Sequence, residues 1–190
     1  PEDFAMQIPV IKDMSKAFAF PAIELAGYEA DDIIATLARR FADQGIDVVV
    51  VTSDKDCLQM ITPTIKLWDP VKELWRDEAY LNEEFGIKAD QIVEMMALSG
   101  DTSYNVPGVK GIGPKGALEL VQAYGTLEGI YEHIEEIKRP KQRESLLENK
   151  DNAFLSRELV TLNYAVPLDT TIDDLCLQTP DYHALVQYYK

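Results

Sequence analysis

Residues 46–52 (IDVVVVT) constrain the fold of this 190-residue chain more than any other stretch. Side chains branched at Cβ lose rotamer freedom on a helix but pack well on a pleated surface. With four valines in a row and no polar alternation, the segment predicts a strand covered on both sheet faces. The residues before it fit that picture. Ile33, Ile34, Leu37, Ala38 and Phe41 recur at helical spacing over 30–44, and Gly45 supplies a stop. Residues 22–25 read as a short strand running into Gly27. Strand, helix, strand in that order predicts a right-handed α/β unit with a parallel sheet.

The flanks extend the pattern. Phe4, Ile8, Ile11, Met14 and Phe18 predict a helix over 3–18, ended by Pro21. Two more short strands are expected at 65–68 and 73–75, with Asp69-Pro70 as the turn. From Asp77 the periodicity becomes helical, over 77–85, 88–99, 114–124, 126–134, 139–148 and 151–162, with a short last helix at 181–190. No Ser/Gly-rich linker separates the two parts, so an α/β portion at 1–100 is expected to share an interface with a helical portion at 101–190. A hydrophobic content of 46% suffices for a real core. No apolar run reaches bilayer-spanning length. The opening Pro1-Glu2-Asp3-Phe4 has neither the basic nor the apolar region of a signal peptide, and no initiator Met. Cys57 and Cys176, far apart, suggest reduced thiols. A cytoplasmic chain with no membrane association is the expectation.

In open parallel sheets, functional groups collect outside the carboxyl ends of the strands. Acids gather at such places here. Gly27-Tyr28-Glu29-Ala30-Asp31-Asp32 follows the expected strand at 22–25, Thr52-Ser53-Asp54-Lys55-Asp56 follows the run at 46–52, and Gly100-Asp101 ends the helix at 88–99. Each cluster has a second reading. Acids at a helix start cap free amides and favour the macrodipole, which alone could explain Glu29, Asp31, Asp32, Asp54 and Asp56. Expected convergence at one sheet edge favours a metal site instead, because crowded carboxylates repel unless a cation neutralises them. Oxygen ligands without His or Cys select Mg²⁺ or Mn²⁺, and two such ions suit phosphodiester hydrolysis. His133 and His183 lie away from these clusters and read as surface or packing residues. No Ser-His-Asp set, Cys-His pair, P-loop or dinucleotide fingerprint is present.

A net charge of −15 would repel nucleic acid if it were spread evenly. One stretch runs against it. Val106-Pro107-Gly108-Val109-Lys110-Gly111-Ile112-Gly113, followed by Pro114-Lys115-Gly116-Ala117, lies between two expected helices. Its glycines permit tight turns and close approach, and Pro114 suits a first helical turn. Such a hairpin offers successive backbone N–H groups to a phosphate, with Lys110 and Lys115 adding charge. The plainer alternative is an ordinary helix–helix turn. Lys138, Arg139, Lys141 and Arg143 form a second basic run, which taken alone reads as a solvated helix face.

Taken in order, the three acidic blocks and the hairpin resemble signature blocks of the 5′ nuclease (5′-3′ exonuclease) domain of bacterial DNA polymerase I, in the flap endonuclease superfamily. The likeness covers essentially the whole chain, including Pro-Glu-Asp-Phe at the start and residues 153–162. It implies a parallel-sheet, PIN-like α/β nuclease core at 1–100 and a helical subdomain at 101–190, with a helix-hairpin-helix at 106–117. It further implies a monomeric, metal-dependent nuclease that removes 5′ flaps and RNA primers in replication and repair. Its partner would be DNA with a 5′ flap or a single/double-strand junction, with a polymerase domain fused to it. By motif, Glu29, Asp31, Asp54, Asp56 and Asp101 become the catalytic ligands of Mg²⁺ or Mn²⁺, direct or through water, and Asp32 a structural residue. Gly108, Val109, Lys110, Gly111, Ile112, Gly113 and Lys115 become the duplex-binding hairpin, whose carbonyls hold K⁺ in relatives.

Two departures stand out. The family pattern Gly-Asp-x-Ser-Asp-Asn is here Gly100-Asp101-Thr102-Ser103-Tyr104-Asn105, and a phenol with an ordinary pKa of about 10 is a poor Mg²⁺ ligand. The chain is also expected to lack the family's N-terminal part, which carries further acids and a basic helical arch. This keeps a second function open: a junction- or duplex-binding module of the same fold with impaired catalysis. A phosphatase or small ribonuclease with a similar acidic pocket is a third.

Overall fold

The computed structural model describes residues 2–188, and the side chains of residues 5–188. It divides into two compact units, residues 1–33 with 165–190, and residues 34–164. No helix among the described residues is long and apolar enough to cross a membrane.

In the first unit, α1 (Glu2–Ala17) packs on α9 (Tyr182–Tyr188). The Asp181 amide donates to the Ala17 carbonyl at 2.8 Å, and Phe18 stacks on Phe20 at 5.5 Å. The strand expected at 22–25 is absent; these residues form no ladder. A strand needs a neighbour for its backbone groups. Here Glu24 instead turns its carboxylate to Lys12 at 2.6 Å. α2 (Ala30–Ala42) starts in this unit and continues into the second.

The second unit holds a three-stranded sheet of β1 (Val48–Val51), β2 (Ile65–Asp69) and β3 (Leu74–Arg76), in that order. β1 and β2 are parallel, with Val48 opposite Ile65 and Val50 opposite Leu67, so β1 takes its parallel partner from the strand that follows it and not from residues 22–25. β3 returns antiparallel through the turn after Asp69. Burial of β1 on both faces is not observed. Val50, Ile65 and Leu67 face the core, but Val49 and Val51 are 50% and 64% exposed. The reason is that no layer of the second unit covers this face among the described residues: it carries Val49, Val51, the exposed Lys66 of the middle strand and the paired Trp68 and Trp75 rings. A valine run reports strand propensity, not the number of covered faces.

Helices follow on the other side of the sheet: α3 (Glu78–Glu84), α4 (Ala89–Ser99), α5 (Pro114–Tyr124), α6 (Leu127–Glu132), α7 (Pro140–Glu148) and α8 (Lys150–Val160). Asp77 caps α3 by accepting the Tyr80 amide at 3.1 Å, and Thr126 caps α6 by accepting the Gly129 amide at 3.1 Å. One core joins the sheet to this layer through Met60, Leu67, Leu81, Ile92, Leu98 and Leu146, all nearly inaccessible. Burying each contributes roughly 1.5–3 kcal/mol. α4 is its centre, packing against both α5 and α8. The loops at its C-terminal end and after β1 carry the residues of functional interest.

Candidate functional site

The hairpin is assembled from backbone outward. α4 ends at Gly100, whose φ of +66° turns the chain, and an antiparallel bridge closes residues 101–106 through Asp101 and Val106. Gly108, at φ +60°, lies against Gly100 so closely that a Cβ on Gly108 would sit 2.5 Å from the Gly100 nitrogen. Only glycine fits at that crossing. The buried Gly108 amide donates to Ser156 Oγ on α8 at 2.9 Å, and the Val109 amide donates to the Leu98 carbonyl at 2.8 Å. Val109 and Ile112 anchor the loop by burying their side chains, so only their backbone groups can meet a ligand.

What remains outside is the tip. Lys110, Gly111, Gly113 and Lys115 are exposed, and no ion pair among the described residues involves Lys110 or Lys115. The backbone N–H groups of Lys110, Gly111 and Gly113 have no hydrogen-bond partner among the described residues. α5 begins at Pro114 with no side-chain cap, leaving its first amides open. Free amides, a helix start and two lysines can together receive a backbone phosphate. The structure thus brings Gly108, Val109, Lys110, Gly111, Ile112, Gly113 and Lys115 into one motif.

The acids are arranged differently. Asp54 and Asp56 follow β1 directly. The Asp54 amide donates to Thr52 Oγ1 at 3.0 Å, and Asp54 Oδ1 accepts the Asp56 amide at 3.0 Å, which starts the short 3₁₀ turn Asp56–Met60. Asp54 therefore acts as a local cap whatever else it does. The loop is also pinned from the sheet: Ser53 Oγ donates to Asp69 Oδ1 at 3.1 Å. Asp69 is buried and ion-paired to buried Arg76. Burial pushes the Asp69 pKa up, but the Lys72 amide, the Ser53 hydroxyl, the Val71 amide and the Arg76 charge outweigh it and hold the carboxyl below its ordinary value. Asp101, in the turn after α4, accepts the Ser103 amide at 2.7 Å. Tyr104 projects from that turn, 68% exposed.

Glu29, exposed, and Asp31, half-buried, stand at the start of α2 in the first unit. The donor chemistry of the five acids suits a hard divalent ion. Glu29 and Asp31 belong to the first unit and Asp54, Asp56 and Asp101 to the second, and among the described residues no group of three or more His, Cys, Asp or Glu side chains is placed to hold a metal. Sequence reading missed Ser53, Asp69, Ser145 and Ser156, which fix the two loops. Only Ser156 left a signal, as a polar residue three positions from Ala153 and four from Val160 on the apolar face of α8.

Two family models match the chain in succession. Residues 1–86 match the 5′-3′ exonuclease N-terminal resolvase-like domain, and residues 87–183 the 5′-3′ exonuclease C-terminal SAM fold. DNA polymerase I of Rhizobium leguminosarum is 40% identical over 190 residues, covering 100% of this chain and 19% of that protein. DNA polymerase I of Bacillus caldotenax is 36% identical over 194 residues, covering 100% of this chain and 22% of the relative. The chain thus spans about a fifth of the length of these relatives. A bacteriophage T5 flap endonuclease, solved as a pseudo-enzyme–product complex with DNA and metal ions, has a TM-score of 0.73 at 22% identity, over 85% of this chain and 60% of its own. The catalytic core of Rad2 in complex with DNA substrate has a TM-score of 0.65 at 20% identity, over 96% and 63%. At such identities these two structures speak for the fold. Matched by both halves of one family and 40% identical along its length to a DNA polymerase I, this chain belongs to the 5′-3′ exonuclease family.

Proposed function

We propose that the chain is the 5′-3′ exonuclease, or 5′ flap endonuclease, module of a DNA polymerase I. Its substrates are DNA with a 5′ flap or a single/double-strand junction, and RNA primers, in replication and repair. The observation that carries the reading is the hairpin: Lys110, Lys115 and unpartnered amides at the start of α5, on a backbone fixed by Gly100, Gly108 and Ser156. These groups hold the duplex backbone by its phosphates. The division of labour places the metal-binding core at 1–100 and the DNA-gripping subdomain at 101–190. The molecule works as a monomer in the cytoplasm, fused to a polymerase domain.

Glu29, Asp31, Asp54, Asp56 and Asp101 are the proposed ligands of Mg²⁺ or Mn²⁺, ions that supply an activated water and charge neutralisation in this class of reaction. K⁺ is the proposed occupant of the hairpin carbonyls. A second reading, a junction-binding module with impaired catalysis, is favoured by one observation: Tyr104 stands where the family pattern has an acid. A 5′-flap duplex incubated with the chain and Mg²⁺ or Mn²⁺ separates them. Slow cutting at the junction, lost in Asp54→Asn, is the expected result. Junction binding without cutting in either metal supports the second reading, and neither binding nor cutting rejects both.

A further inference from the structure

The basic run after α6 is divided by the fold. Arg143 turns to Glu135 at 3.2 Å, and Lys138 faces elsewhere. Arg139 and Lys141, at the start of α7, line a cleft of about 820 Å³ whose opposite wall is the hairpin, with Lys110 and Lys115. The two walls are tied together. Ser145 of α7 donates through Oγ to the Lys110 carbonyl, and a Cβ on Gly116 would lie 3.7 Å from Gln142 Nε2. Lys110, Lys115 and Lys141 have no ion pair among the described residues, while Arg139 is steadied at the lip by Glu119 at 3.0 Å. Unpaired cations facing one another across a rigid cleft are not a solvated helix face. In a chain of net charge −15, they are a local anion site. Glu144 and Glu148 also line the cleft, on either side of Ser145 along α7, while Arg139 and Lys141 stand at the start of that helix. Cations still outnumber acids on the cleft lining, with Lys110, Lys115, Arg139 and Lys141 against Glu144 and Glu148.

We infer that Lys141 and Arg139 form the second wall of the phosphate clamp, so that the duplex backbone lies in the cleft between hairpin and α7 rather than on the hairpin alone. This rests on the reading that the hairpin binds duplex DNA. The test is fluorescence anisotropy with a blunt-ended DNA duplex over a salt series, comparing the chain with K141A, R139A, the double variant K110A/K115A, and the charge-matched controls R143A and K138A. Each phosphate contact contributes about 0.9 to the slope of log affinity against log salt, so losing one weakens binding about fivefold at about 0.15 M salt. K141A and R139A should each lower the slope by about that amount, and K110A/K115A by about twice as much, with the controls near the parent. If K141A and R139A match the controls while K110A/K115A still weakens binding, the second wall is wrong and the hairpin reading stands. If K110A/K115A leaves binding unchanged, the hairpin reading and this inference fall together. Melting temperatures of all variants guard against unfolding as the cause.

Discussion

In the hairpin, the Gly108 amide reaches Ser156, 48 residues further along the chain, and the Lys110 carbonyl receives Ser145, 35 residues further. In the loop after β1, the bonds from the Asp54 and Asp56 amides span two residues each, while the Thr52 amide and the Ser53 hydroxyl reach across to the neighbouring strand at Trp68 and Asp69. The first motif is placed by the packed helical layer and needs no ligand to hold its shape. The second is built largely from local turns, with Asp54 Oδ1 accepting the Asp56 amide and Thr52 Oγ1 accepting the Asp54 amide. Backbone amides and a helix start are an anion site as soon as the chain folds, whereas a carboxylate site depends on the cation that neutralises it. The two motifs thus differ in preorganisation: the hairpin is held by bonds to distant helices, and the acidic turn at Asp54 by bonds to its own neighbours.

Substitutions can break this contrast, the largest effect coming from the glycine crossing. In Gly108→Ala the new Cβ would meet Gly100 backbone atoms at 2.5–2.7 Å at a positive φ. Strain and overpacking together should cost about 3 kcal/mol, lowering the melting temperature by roughly 6–12 °C in calorimetry. Gly27→Ala, beside the first acidic block, shares the positive φ but has nothing within 4 Å, so the cost should be about 1 kcal/mol. Equal losses in the two variants would mean that the hairpin is no more tightly specified than the acidic loop.

Ser156→Ala leaves the buried Gly108 amide without an acceptor and should cost about 1–3 kcal/mol in urea unfolding, with a matching loss of duplex affinity. Retained stability with lost affinity would say that Ser156 shapes the hairpin without supporting the fold. Asp54→Asn and Asp101→Asn should change stability by less than about 0.5 kcal/mol, since an amide oxygen still accepts the Asp56 or Ser103 amide. Mn²⁺ affinity by isothermal titration should nonetheless fall by on the order of tenfold or more. Unchanged Mn²⁺ binding would reduce both acids to helix and turn caps.

The smallest effect concerns Asp69. Its folded pKa lies below the ordinary carboxylate value of 3.8, so its ionised form contributes stability that is present above that pH and lost as pH falls through the depressed folded value. Ser53→Ala removes one hydrogen bond that lowers the pKa, so acid unfolding followed by circular dichroism should begin at a higher pH than in the parent. A shift to lower pH would contradict the pinning of the loop by Asp69.

Much of this arrangement was legible in the residues. α5 was readable to its ends because Pro114 and Gly125 punctuate it, and β1, β2 and β3 followed from strand propensity, though the parallel partner of β1 is β2 rather than residues 22–25. The strand expected at 22–25 failed because four residues of sufficient apolarity say nothing about whether a neighbouring strand exists. Val49 and Val51 failed for a related reason: a valine run does not reveal whether a second layer covers the far face of its sheet. The hairpin glycines announced a close approach but not its partner, which is the chain's own Gly100 rather than a ligand. The split of the basic run into cleft-lining Arg139 and Lys141 and outward-paired Arg143 was invisible, because it depends on how α7 packs against the hairpin.

The difference in preorganisation is tested most directly by measuring duplex binding by the chain in chelator and again with saturating Mn²⁺ at matched ionic strength. The account predicts the same affinity and the same salt slope in both, with Lys110→Ala/Lys115→Ala weakening both equally. Binding that appears only when Mn²⁺ is added would contradict it, because the grip would then depend on the metal rather than on the fold.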